Sequence, residues 1–260
     1  MVYVCKFPFG GTQLNLKTLE PIHDSDAERI SSFIKEFQQE LNHNLINSSA
    51  YRFNEAQVNF PVLSKPSFIN FLKLNILLSR SLENSFNSFV GLDKDDDIQE
   101  VIVIDEKEEL VTKTKDIALG ASLIKNDYIL DVLINFIAKE LGIDAFLIET
   151  PTVYMAIGPE EWLIKIPAIE DRLGLRNEAL LIEEYSNADS KNQFKFGSFE
   201  EPIEAEKLIL IGNSAVTNKL RYMEFPKLKY VNDFHKHASI NKIHFAVIDS
   251  KGEAHMFIGS

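Results

Sequence analysis

Four of the six histidines lie in the last 26 residues: His235, His237, His244 and His255. With Asp233 they offer imidazole nitrogens and a carboxylate, the donor types that hold zinc or another divalent metal and activate a bound water. The same imidazoles titrate near neutral pH and suit general-base work. The stretch from Ile240 to Gly259 predicts a β-hairpin with Asp249 to Gly252 as its turn. If Asp249 opposes Gly252, then Phe245 opposes Met256 and Val247 opposes Ala254, which puts His244 and His255 on one face. Val231 to His237 would then fold over that face to complete the set. No fixed-spacing zinc motif is present. A slip of one residue in the hairpin turns His244 and His255 to different faces.

Carboxylates form the second group of chemically capable residues. Asp93, Asp95 and Asp97 match the first three oxygen positions of a calcium-binding EF-hand loop. Position six is Ile98 where glycine makes the turn, and position twelve is Ile104 where a glutamate closes the cage. The run therefore reads as an exposed acidic linker. Asp105 and Lys107 make a D-x-K triplet at the end of an apolar strand, which loosely resembles the second half of the active-site signature of PD-(D/E)XK nucleases. That resemblance covers three residues and implies carboxylates on a divalent metal with a lysine orienting water. The family also needs an isolated acid on an adjacent strand, and only the Asp93–Asp97 run is nearby, so a surface turn is the simpler reading. Asp144, Glu149 and Lys165 repeat the same residue types around two central strands, without converging spacing. Gly212 to Ala215 lacks the glycine spacing that cradles phosphate.

Charge is segregated along the chain. Residues 93–206 carry 27 acidic side chains against 11 basic ones, whereas residues 1–92 are balanced and residues 207–260 are basic. Asp95, Asp96, Asp97, Glu106, Glu108 and Glu109 are the candidate surface for a protein partner or for self-association. Nucleic acid is compatible only with the basic and aromatic residues of 219–236. Cys5 is the sole cysteine, so no disulfide or paired-cysteine site forms within the chain. No apolar run is long enough to cross a membrane, and nothing reads as a signal peptide; a cytoplasmic protein is the expectation.

The elements that must position these groups follow from periodicity. Ile129, Val132, Leu133, Phe136, Ile137 and Leu141 recur at helical spacing before Gly142, and two apolar strands, Ala145–Ile148 and Thr152–Ile157, follow. Ile30, Phe33, Ile34, Phe37 and Leu41 make another helical stripe, and the segment from Lys65 to Gly91 reads as a long helix. Met1–Phe7 alternates like a strand. Tyr51–Leu63 reads as extended and Ala168–Tyr185 as helical. The fold class is α+β, with mixed or antiparallel sheets, at least three packed helices and a C-terminal hairpin. Residues 1–92 form an N-terminal domain or subdomain and 98–260 a larger one, with a single domain equally compatible. The failure of every catalytic pattern points to a non-catalytic, protein-binding or regulatory protein acting through an acidic surface. The alternative is a metal-dependent hydrolase, possibly a nuclease, built on the C-terminal histidines or the clustered carboxylates.

Overall fold

The computed structural model describes residues 1–81, 88–93, 95–120, 122–166, 172–184, 193–195, 202–224, 244–249 and 253–258. In chain order the first elements are β1 (Tyr3–Phe9), β2 (Thr12–Thr18), α1 (Asp24–Glu40), α2 (Ser49–Glu55), β3 (Val62–Leu63) and α3 (Pro66–Ser81). Then come β4 (Phe89–Val90), α4 (Ile98–Val101), β5 (Ile102–Asp105), β6 (Leu110–Lys113), β7 (Ala118–Leu119) and α5 (Lys125–Asn135), whose last turn, Phe136–Glu140, is π-helical. The remainder is β8 (Phe146–Glu149), β9 (Val153–Ile157), β10 (Trp162–Lys165), β11 (Arg172–Leu175), β12 (Glu178–Glu184), β13 (Gln193–Lys195), β14 (Pro202–Gly212), α6 (Ala215–Glu224), β15 (His244–Asp249) and β16 (Ala254–Ile258). The fold is mixed α+β, and every strand pair among the described residues is antiparallel.

Contacts group the chain into two units, one of Met1–Glu28 with Leu130–Ser260 and one of Arg29–Ile129. The first unit is built on a large sheet in the order β1-β2-β8-β9-β12-β14-β15-β16, with β13 paired to β14. Its central strands bury both faces: Ala179, Leu180 and Leu181 are all essentially inaccessible. On one face Leu147, Ala156, Leu180, Ile209, Ala246 and Ile248 pack with Trp162, Ile164 and Leu175 of the β10–β11 hairpin. The opposite face carries Leu16, Ile148, Met155, Leu210 and Phe245, and α6 lies against β12 and β14. Asn218 of α6 is fully buried and donates to the carbonyl oxygens of Ala179 and Leu210.

The second unit contains α2, α3, a β3-β6-β5 sheet and a β4–β7 pair. Pro66 opens α3, where its missing N–H costs nothing. Phe68, Phe71, Leu72 and Asn75 of α3 are buried, and Asn75 is satisfied by the Phe71 carbonyl and the Ser122 hydroxyl. Glu40 ends α1 and receives the backbone N–H and hydroxyl of Ser49 at the start of α2. Burial works against its charge, but hydrogen bonds from Ser49 and Lys65 outweigh that and hold its carboxyl below the usual range.

Three sequence expectations give way here. Tyr51–Leu63 is not extended over its length: Ser48 accepts the Tyr51 N–H as an N-cap and Ser49–Glu55 is a helix. Ala168–Tyr185 is not helical where described. Arg172–Leu175 pairs with Trp162–Lys165, and Glu178–Glu184 sits between β9 and β14. Asn177 turns the chain between those strands at a φ of 51° and accepts the Gly158 N–H. Strand pairing on both sides overrides a local pattern that suits a helix. The long helix expected from Lys65 to Gly91 is a helix over Pro66–Ser81, whereas Phe89–Val90 is a strand.

Candidate metal centre

The C-terminal hairpin exists, one residue out of the expected register. Phe245 faces Phe257 and Val247 faces His255, so Asp249 comes opposite Glu253. The Phe245 and Phe257 rings stack with centroids 4.7 Å apart and planes 16° apart. Such a cross-strand aromatic pair favours the observed register over one that splits it. The consequence is the flip that a single-residue slip must produce. His244 shares a face with Ala246 and Ile248, whereas His255 lies on the face of Phe245, Val247 and Phe257. The half-buried His244 has a buried Nδ1 with no hydrogen-bond partner, and it does not join His255.

The slip assembles a different group. Asp249 is 6% exposed at the end of β15. Its Oδ1 accepts the Glu253 N–H at 2.9 Å, its own N–H donates to the Glu253 carbonyl at 3.0 Å, and its Oδ2 lies 3.1 Å from His255 Nε2. One ligand atom from each of Asp249, Glu253 and His255 falls within 4.8 Å of the others. Two carboxylates and one imidazole supply three donors, enough to hold a divalent cation and leave positions for water or substrate. The sequence alone singles out His255, but it assigns Asp249 to the turn and gives Glu253 no role. The signal for both is the spacing Asp249-x3-Glu253-x-His255, which meets across a tight hairpin. Asp233, His235 and His237 lie outside the described residues.

The other acids are engaged elsewhere. Asp93 and Asp96 both bind the Lys115 ammonium, and Asp97 caps α4 by accepting the Gln99 N–H. Lys115 holds the Asp96 carboxyl below its usual range, and the ammonium is raised in turn by Asp93 and Asp96. These carboxylates surround a lysine in place of calcium. Asp95 is exposed. Asp105 caps its own turn by accepting the N–H groups of Lys107 and Glu108, and Glu106 pairs with Lys73. Glu108 and Glu109 are exposed on that turn. Glu149 pairs with Lys17 on β2, and Lys165 stands opposite Arg172, so the Asp144–Glu149–Lys165 set does not converge. Asp144 instead lines a cavity of about 400 Å³ with Thr18, Glu20, His23 and Asp26. The Gly212–Ala215 turn is closed to phosphate: Asp131 takes the N–H groups of Ala215 and Val216, and Ser214 takes that of Thr217.

No family model matches this chain, and no curated protein matches it by sequence. Solved structures do. The apo flavinyl transferase ApbE of Pseudomonas stutzeri superposes with a TM-score of 0.71 at 15% identity, over 100% of this chain and 96% of that one. The flavin transferase ApbE of Vibrio cholerae gives 0.67 at 15% identity, over 100% and 97%. The ApbE protein of Thermotoga maritima gives 0.69 at 15% identity, over 99% and 97%. End-to-end agreement with transferases, together with the Asp249–Glu253–His255 group, overturns the expectation of a non-catalytic binding or regulatory protein. Sequence motifs do not report this group, because its three donors come together only through the strand pairing of the hairpin. The chain has the mixed α+β fold of the ApbE flavin transferases.

Proposed function

We propose that this chain is a metal-dependent enzyme that transfers a flavin-bearing group to an acceptor, with Asp249, Glu253 and His255 holding a divalent cation. The observation that carries the reading is the fold match along the whole chain to flavin transferases. Fold alone does not dictate chemistry, so the donor group at the hairpin is the second support. A divalent ion there would neutralise charge developing on a transferred group and polarise its oxygen. The chain's own residues have distinct parts. Asp249 is held by the Glu253 N–H and aligns His255, while the exposed Glu253 and half-exposed His255 leave the group open to a substrate. An O,O,N donor set suits zinc or manganese better than calcium. Asp233, His235 and His237 are candidate further ligands in this proposal.

A second reading, metal-dependent hydrolysis, is favoured by the same donor group taken without the fold. The two differ in the acceptor, which is water in hydrolysis. The test is to incubate the full chain with flavin dinucleotide and, separately, flavin mononucleotide, with manganese or zinc and a mixture of candidate acceptor proteins. Flavin fluorescence retained on protein after denaturation, and lost in His255→Ala, is the expected result. Free flavin products without retained fluorescence would favour hydrolysis. An unchanged flavin pool with every metal would overturn the transfer reading.

A further inference from the structure

We infer that the outer face and free edge of the β3-β6-β5 sheet dock an extended, lysine- or arginine-bearing segment of a partner protein. This surface stands beside the enzymatic reading and does not depend on it. Alternation in the sheet is clean. Val62, Val111, Ile102, Ile104 and Lys113 share the inner face, where Val111, Ile102 and Lys113 are buried. Leu63, Leu110, Val103 and Thr112 share the outer face, and there Leu63 is 59% and Val103 52% exposed. Leu110, half-buried on β6, stands between them, so the apolar strip crosses all three strands. Single exposed apolar residues need no explanation, but a row of them on one sheet face does.

The edge is open as well. Val101 accepts the Thr114 N–H, so the ladder alternation aims the Ile104 N–H and carbonyl away from β6. Among the described residues no strand pairs with that side of β5. An unpaired edge is a template for an added strand, whose main chain supplies affinity and whose alternate side chains supply selection. Selection here comes from charge. The strip ends on the Asp105–Glu109 turn, which exposes Asp105, Glu106, Glu108 and Glu109. Lys107 lies on the same turn and Lys73 pairs with Glu106, which leaves Glu108 and Glu109 as the acids that face a basic segment. A segment pairing along β5 with a basic residue at that end meets both features, whereas an acidic one is repelled.

The test uses two fluorescein-labelled octapeptides with the same alternating valine–threonine core, one ending in two lysines and one in two glutamates. Fluorescence anisotropy is measured on the full chain at low and high salt. The lysine peptide should bind at least about tenfold more tightly than the glutamate peptide, with the difference shrinking in salt. Val103→Lys and Glu108→Lys, both at exposed positions, should each weaken binding by about fivefold or more while leaving circular dichroism unchanged. Equal binding of the two peptides, no binding of either, or undiminished binding by both variants would overturn the inference. So would a concentration-dependent dimer abolished by Val103→Lys, which would assign the edge to a second copy of this chain.

Discussion

Asp131 of α5 accepts the backbone N–H groups of Ala215 and Val216 at 2.9 and 3.1 Å, so a carboxylate from one helix caps the N-terminus of another. The first turn of α6 would otherwise bury unpaired donors. Burial outweighs these bonds and raises the Asp131 carboxyl above its ordinary value, although Ala215, Val216 and Ser214 pull it down. A carboxyl raised in the folded state contributes most stability below the unfolded value, about 4, and loses that contribution as pH rises through the folded value. The carboxamide of an Asp131→Asn variant would be neutral throughout. The unfolding free energy of wild type minus that of Asp131→Asn should therefore fall as pH climbs from about 4, read by urea denaturation at several pH values. A flat difference would contradict it.

The hairpin donors should bind metal as a unit. Isothermal titration with manganese or zinc should show one site on the full chain. Asp249→Asn or His255→Ala should weaken it by about tenfold or more, since each removes one of three donors. His244→Ala, on the other sheet face, should leave the affinity within about twofold. Equal loss in all three variants would mean a damaged hairpin and no site.

The Phe245–Phe257 stack holds the register that builds the donor group. Phe257 is 2% exposed, and Phe257→Ala should cost about 3 kcal/mol or more of stability by thermal or urea unfolding. Phe257→Leu keeps most of the volume and should cost less than about 1.5 kcal/mol. Metal affinity should fall in the alanine variant even below its unfolding temperature, because Asp249 and His255 then lose their fixed pairing.

Lys113 is a buried cation without a buried anion. Its ammonium donates to the carbonyl oxygens of Asn54 and Ile117 at 2.8 and 2.9 Å and sits over the Phe53 ring, while the nearest carboxylate, Asp116, is exposed and 3.7 Å away. Lys113→Met keeps the chain length but strands two carbonyls, with an expected loss of about 1–3 kcal/mol. Asp116→Asn should change stability far less. The reverse order in chemical denaturation would show that the ion pair, and not the carbonyl cage, retains the lysine.

Local periodicity is enough for some elements and not for others. The stripe of Ile30, Ile34 and Leu41 is the buried side of α1 and its end, and Ile129, Leu133 and Ile137 are the buried side of α5 and its π-helical turn. Phe146–Glu149 and Val153–Ile157 are readable as strands because β-branched and aromatic residues cluster there. The short α2 is not, because seven residues hold barely two turns of pattern, and Glu40, from outside the segment, completes its cap. β11 and β12 read as helix because their partners, β10, β9 and β14, lie elsewhere in the chain. The neutral-to-acidic shift near residue 92 suggests a boundary there, whereas the contact grouping joins Met1–Glu28 to Leu130–Ser260.

By itself the sequence determined that the chain is α+β, that its C-terminal part holds a hairpin and that His255 is a candidate metal ligand on it. Only the tertiary structure decided which residues stand beside that histidine. Side chains on a strand alternate with a period of two, so a shift of one residue exchanges every neighbour. Ring stacking of Phe245 on Phe257, in a strand paired to β14, decides that shift and brings Asp249 and Glu253 to His255 while turning His244 away.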